Sequence, residues 1–168
     1  FNLQALCAAC CLVNGLLLAT APAGATASDA PGVARPNEGV VLVVGDSLSA
    51  EYGLKRGSGW VSLLQNRLKT ERPGAVVVNA SVSGDTTAGG RSRLPGLLRQ
   101  HLPQTVVIEL GGNDALRGLA LSHTQDNLTH MVRSAKAAGA SVLLLGMEMP
   151  PNYGEQYART FRELYPQV

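Results

Sequence analysis

Cysteine is confined to the first eleven residues, where Cys7, Cys10 and Cys11 are the only three in a chain of 168. The rest of the chain has no thiol, which excludes disulfide staples and cysteine metal sites there. Charge is scarce as well: charged residues make up 15% and the formal net charge is +2. No cluster of Lys or Arg marks a phosphate track, so a nucleic-acid partner has no electrostatic footing. There are no repeats, low-complexity tracts or linkers to a second domain, and the length suits one domain. A hydrophobic share of 45% with so few charges argues against disorder.

The first thirty residues differ from the rest. Leu3 to Ala25 is apolar and alanine-rich, interrupted clearly only by Gln4, Asn14 and Thr20. Ala23-Gly24-Ala25 and Ala25-Thr26-Ala27 both fit a small-x-small cleavage site. Residues 1–27 are therefore expected to be a secretory signal peptide lacking its first residues, cut near Ala25 or Ala27, which places the mature protein in the periplasm or outside the cell. A retained anchor would be long enough, but the tandem cleavage sites favour removal. Lipid attachment at Cys10 is the lesser alternative, because Cys7 stands where a lipoprotein signal usually has Leu. Residues 28–38, with Pro and Gly, read as a flexible lead-in to a domain over 39–168.

From Gly39 the pattern alternates strand and helix, the mark of a parallel α/β sheet. Val40 to Val44 is a run of five apolar residues, four of them β-branched, and reads as a strand buried on both faces. It ends in Gly45-Asp46-Ser47-Leu48-Ser49, and the helical pattern resumes at Gly59 to Thr70. Ala75 to Val78 is a second strand, ending in Asn79 to Thr87. Ala88 to Leu102 is a helix that Pro95 should end or kink. Val106 to Leu110 is a third strand, ending in Gly111-Gly112-Asn113-Asp114. Ser122 to Ala138, stopped by Gly139, is the longest helix, with Leu128, Met131, Val132 and Ala135 on one face. Ser141 to Gly146 reads as a fourth buried strand and Glu155 to Tyr165 as a last helix. Three predicted strands thus end in polar, glycine-bearing loops, and a parallel sheet gathers such loops on one edge, where ligands bind.

Those three loops resemble the sequence blocks of the SGNH hydrolases, also called GDSL hydrolases, named for a Ser, a Gly, an Asn and a His in separate blocks. Gly45-Asp46-Ser47-Leu48-Ser49, Gly84 and Gly111-Gly112-Asn113-Asp114 match the first three. Val106 to Gly118 and Pro150-Pro151-Asn152-Tyr153-Gly154 look like the bacterial acyl-thioesterase, arylesterase and lysophospholipase branch. The resemblance covers about Gly39 to the end. It implies a three-layer α/β/α sandwich on a parallel, flavodoxin-like sheet. It also implies a monomeric serine ester hydrolase acting on small acyl esters, thioesters or lysophospholipids, without cofactor or metal.

Ser47 is the candidate nucleophile, and a serine hydroxyl needs a neighbouring base to take its proton. At Gly84 the absence of a Cβ lets a backbone N–H approach a reacting centre. Asn113 can donate its side-chain NH₂. With the Ser47 N–H these make a three-donor oxyanion hole, suited to acyl transfer through a tetrahedral intermediate. Taken singly, the glycine reads more readily as an ordinary turn glycine, and the asparagine has the alternative of an Asx turn. Asp46 and Asp114 neighbour the site and are grouped with the substrate-binding residues in supporting roles only, each expected to orient a loop by accepting backbone N–H bonds. Glu109 reads as a charge at a frayed or partly exposed strand end. The resemblance assigns Leu116 and Leu119 to the acyl pocket, against the alternative that both cover the sheet edge.

The family's fourth block, Asp-x-x-His, does not occur before Val168. The domain is therefore expected to lack its last strand and helix, and the chain by itself to be poorly soluble and nearly inactive. His101, His123 and His130 are expected on the surface and do not replace the missing base. Two other readings stand beside the hydrolase. One is a non-catalytic SGNH-like ligand-binding module, which the absent His would suit. The other is a nucleotide-binding domain, which Gly45 to Ser49 does not support, having neither Gly-x-Gly-x-x-Gly nor a Walker lysine.

Overall fold

Successive residues of a strand point to opposite faces of its sheet, so an unbroken apolar run such as Val40 to Val44 requires cover on both sides. The computed structural model, which describes residues 37–168, provides it. The signal peptide, its cysteines, both cleavage sites and residues 28–36 of the lead-in lie outside the described residues. Strand β1 (Asn37–Gly45) starts two residues before the expected domain boundary and is followed by α1 (Trp60–Glu71) and β2 (Val76–Asn79). Then come α2 (Thr87–His101), β3 (Pro103–Glu109), α3 (Gly112–Leu116), α4 (Leu121–Ala137) and β4 (Ser141–Leu144). A 3₁₀ turn over Pro151–Tyr153 leads into α5 (Glu155–Gln167).

The four strands are parallel in the order β2-β1-β3-β4. On one face, Leu42 and Val44 of β1 and Val106 and Ile108 of β3 pack with Leu94 and Leu98 of α2, Leu128 and Met131 of α4, and Phe161 and Leu164 of α5. On the other, Val43 and Val107 meet Val61 of α1. The layers are the expected α/β/α, though unequal. The expected fourth buried strand is instead a short edge strand, with Leu143 52% exposed.

Two other expectations give way. Pro95 does not end α2, the first of the two outcomes expected of it; the helix runs through to His101. Pro95 is exposed, and the carbonyl it leaves without an N–H, four residues back at Arg91, belongs to an exposed residue that can use water. Leu94 and Leu98, both buried, hold the helix to the core on either side of it. The loop expected after β3 is also shorter: Gly111, at φ +123°, turns the chain directly into α3.

Glu109 is the larger correction. It is 5% exposed, not frayed. Its Oε2 accepts the Ser49 hydroxyl at 2.6 Å and the Asp46 N–H at 3.5 Å, and Trp60 Nε1 donates to that same hydroxyl at 3.2 Å. Gly45 permits the approach, since a Cβ there would lie 2.7 Å from Ser49 Oγ and 2.8 Å from Glu109 Oε2. The other oxygen, Oε1, is buried with no hydrogen-bond partner. Burial raises the Glu109 pKa, the Ser49 bond opposes that, and the Asp46 charge adds to it. A carboxyl whose pKa is raised on folding stabilises the fold while protonated and loses that contribution as pH climbs through its folded value. Melting temperature should therefore fall less between about pH 4.5 and pH 8 in Glu109→Gln than in the wild type. Equal pH slopes in thermal melts would refute a buried, ionising Glu109.

Candidate active site

In a doubly wound sheet the crevice lies where successive connections leave the strands in opposite directions, at their carboxyl ends. Here β1 connects to β2 on one side while β3 lies on the other, so that crevice falls between the ends of β1 and β3. Ser47 follows the first of these strands and Asn113 the second.

Ser47 lies in a tight turn, not at a helix start; α1 begins only at Trp60. Ser49 and Ala50 donate their N–H groups to the Asp46 carbonyl at 3.2 and 2.9 Å. The Asp46 carboxylate accepts the Leu48 N–H at 3.0 Å, and Asn79 Nδ2 donates to the Ser49 carbonyl at 2.8 Å. Glu51 braces the segment that follows. Its carboxylate accepts Gly57 N–H, Gly59 N–H and the Ser62 hydroxyl, contacts that lower its pKa.

The loop after β2 is fastened to the end of β1 by Ala80 N–H on the Val43 carbonyl at 2.9 Å and Val82 N–H on the Gly45 carbonyl at 3.0 Å. Asp85 N–H closes a β-turn onto the Val82 carbonyl at 3.0 Å, with Gly84 in its third position at φ +78°. That conformation is the one glycine adopts without steric cost. Arg117 Nη2 donates to the Gly84 carbonyl at 2.7 Å.

Asn113 joins the three loops. Its Nδ2 donates to Asp46 Oδ2 and to the Asp85 carbonyl, both at 2.9 Å. An amide nitrogen carries two hydrogens, so both are engaged, and donation to a further acceptor requires sharing or exchange. Asp46 is 2% exposed. Burial raises its pKa against the opposing bonds from Leu48 and Asn113, with the Asp85 and Asp114 charges adding to the rise.

Asp114 is buried and braces loops as expected, accepting a backbone N–H: its carboxylate takes the Thr87 N–H at 2.9 Å, the Thr87 hydroxyl at 2.5 Å and the Thr124 hydroxyl at 3.3 Å. It ties α3 to the starts of α2 and α4. Asp46 likewise has both carboxylate oxygens on protein donors. Leu116 lines a cavity of about 460 Å³ with Leu48, Trp60, Glu109, Leu145 and Met147, beside the Ser47 turn. Leu119 does not share it; it lines a separate cavity of about 330 Å³ with Arg91, Asp114, His123 and Asn127. Arg93 and Glu51 escaped the sequence reading, since polar residues outside the three loops carry no mark there, and Asn79 was read only as part of the second loop.

The histidines are not brought to Ser47. His101 ends α2 just before β3 begins at Pro103, so roughly 20 Å of strand, at about 3.3 Å per residue, separates it from the carboxyl edge. His130 is exposed on α4, and His123 is exposed in the cavity that holds Leu119. Among the described residues no three His, Cys, Asp or Glu side chains cluster as metal ligands would.

Residues 43–168 match the GDSL-like Lipase/Acylhydrolase family. The chain is 56% identical over 128 residues to Esterase TesA of Pseudomonas aeruginosa strain PAO1, covering 76% of this chain and 64% of that protein. It is 43% identical to Thioesterase 1/protease 1/lysophospholipase L1 of Escherichia coli strain K12, covering 76% of this chain and 60% of that one. It thus spans under two thirds of the length of these curated relatives. The psychrotrophic esterase EstA from Pseudoalteromonas sp., solved as inhibited by monoethylphosphonate, superposes with TM-score 0.73 at 44% identity, covering 77% of this chain and 71% of that structure. Sequence blocks, sheet order and relatives agree, and the chain belongs to the GDSL-like lipase/acylhydrolase family.

Proposed function

We propose that this chain carries the nucleophile and oxyanion hole of a serine ester hydrolase, with Ser47 as nucleophile. The observation that carries the reading is the hydrogen bonding of Asn113 to both Asp46, beside Ser47, and Asp85, beside Gly84. One side chain from the third loop thereby gathers the other two. The tetrahedral oxyanion is received by the N–H groups of Ser47 and Gly84 and by Asn113 Nδ2, which shares or exchanges one of its two bonds as charge develops. Substrates are small carboxylic esters or thioesters, within the classes that these relatives' names span: esters, thioesters and lysophospholipids. The cavity beside Leu116 takes the apolar part. The leader argues for a periplasmic or secreted enzyme, and the family resemblance for a monomer that needs no metal.

In the full-length protein, an organophosphonate ester should label Ser47 alone, and Ser47→Ala should abolish turnover of p-nitrophenyl esters while leaving the melting temperature nearly unchanged. Labelling elsewhere, or undiminished turnover, would remove the assignment and leave the binding-module reading. Asn113→Ala should lower kcat by roughly 10²–10³-fold. If KM rises while kcat holds, Asn113 binds substrate without stabilising the transition state.

A further inference from the structure

Arg93 lies in the second turn of α2, outside the three loops that bear the proposed catalytic groups. Its guanidinium nevertheless reaches the first two of them directly and the third through Asp85. Nε donates to Asp85 Oδ2 at 2.8 Å, Nη1 to the Ala80 carbonyl, and Nη2 to the Gly45 carbonyl at 3.5 Å. Gly45 immediately precedes Asp46-Ser47. Ala80 and Asp85 bracket the turn that carries Gly84. The Asp85 carbonyl accepts Asn113 Nδ2, which brings in the third loop.

This arrangement is specific to arginine. A planar fork with five N–H donors in fixed directions can hold acceptors on three sides at once, whereas the lysine ammonium is a point charge on a flexible stem. The side chains of Arg93 and Asp85 are 25% and 12% exposed, so the pair is mostly shielded from water. Asp85 is fixed in turn: Oδ1 accepts the Thr86 N–H at 3.0 Å, and a Cβ on Gly89 would overlap that oxygen. Thr86 caps α2 by accepting the Gly89 N–H at 3.3 Å. Arg93 therefore refers the position of each loop to the start of one packed helix.

We propose that Arg93 is a positioning residue for hydrolysis: by holding Gly45, Ala80 and Asp85 together, it sets the distance between Ser47 and the oxyanion donors Gly84 and Asn113. The inference rests on the function proposed above for those three residues. Arg93 contacts none of the reacting atoms, so its effect falls on the rate of the chemical step and not on substrate affinity. Misplacing groups by about 1 Å costs on the order of 10²-fold in rate.

The test measures kcat and KM for a p-nitrophenyl ester, with thermal melts, on full-length Arg93→Lys, Arg93→Ala, Asp85→Asn and Ser47→Ala beside the wild type. Arg93→Lys should lose roughly 10–100-fold in kcat. KM should stay within about twofold, since uniform binding is untouched. Asp85→Asn should move in the same direction, and millimolar methylguanidinium should restore part of the kcat of Arg93→Ala. If Arg93→Ala does not fold, Arg93→Lys and Asp85→Asn decide the matter. Wild-type kcat in Arg93→Lys, or a loss no larger than the loss of folded protein, overturns the inference. An inactive Ser47→Ala beside a fully active Arg93→Lys removes the role of Arg93 alone. An active Ser47→Ala removes the underlying function and the inference together.

Discussion

Strand β1 is hydrogen-bonded on both sides, with Leu42 in register with Val78 of β2 and with Val106 of β3. That double pairing aligns the carboxyl ends of three strands, and the loops leaving them have nowhere to go but the same crevice. It also demands a strand buried on both faces, which the Val-rich run supplies. The neighbouring loops then bond directly to the end of β1, through Val43 and Gly45 carbonyls that have run out of strand partners. The site is an outgrowth of sheet pairing, built from backbone groups the sheet leaves unpaired.

Such a crevice brings carboxylates close together in a poorly solvated place, and each must be answered. Asp85 is met by Arg93, Asp114 by Thr87 and Thr124, and Asp46 by Leu48 N–H and Asn113. Glu109 is the exception, with one oxygen satisfied and the other bare. A buried acceptor without a partner costs about 1–3 kcal/mol, which is tolerable only where neighbours over-determine the geometry. The same economy explains why Asn113 keeps both amide hydrogens occupied in the free protein. In the proposed mechanism its donation to an oxyanion replaces a bond to the Asp46 carboxylate or to the Asp85 carbonyl, so the net gain comes from the charge that appears at the reacting oxygen.

What could be read from the sequence follows physical range. The polar loops that hold Ser47 and Gly84, and the β3–α3 junction that holds Asn113, were legible because strand ends show as a switch from apolar to glycine-bearing polar residues. Periodicity likewise gave α1, α4 and α5 within one or two residues. Glu109 was misjudged because a carboxylate in an apolar run looks misplaced until Ser49, sixty residues away, comes into contact. Arg93 was invisible for the same reason: its acceptors lie 8, 13 and 48 residues off. Pro95 misled because a local rule about helix interiors ignores which side faces water. Leu116 and Leu119 are three residues apart yet line different cavities, since α3 ends between them.

The central claim is geometric: Ser47 N–H, Gly84 N–H and Asn113 Nδ2 converge on one point. A crystal structure of the full-length protein phosphonylated on Ser47 places an oxygen where the tetrahedral oxyanion would be. The account predicts that oxygen at about 2.7–3.1 Å from all three nitrogens, with Asn113 having loosened its bond to Asp46 or Asp85. A phosphonyl oxygen turned away from Gly84 and Asn113, with both Asn113 bonds kept at 2.9 Å, would contradict it.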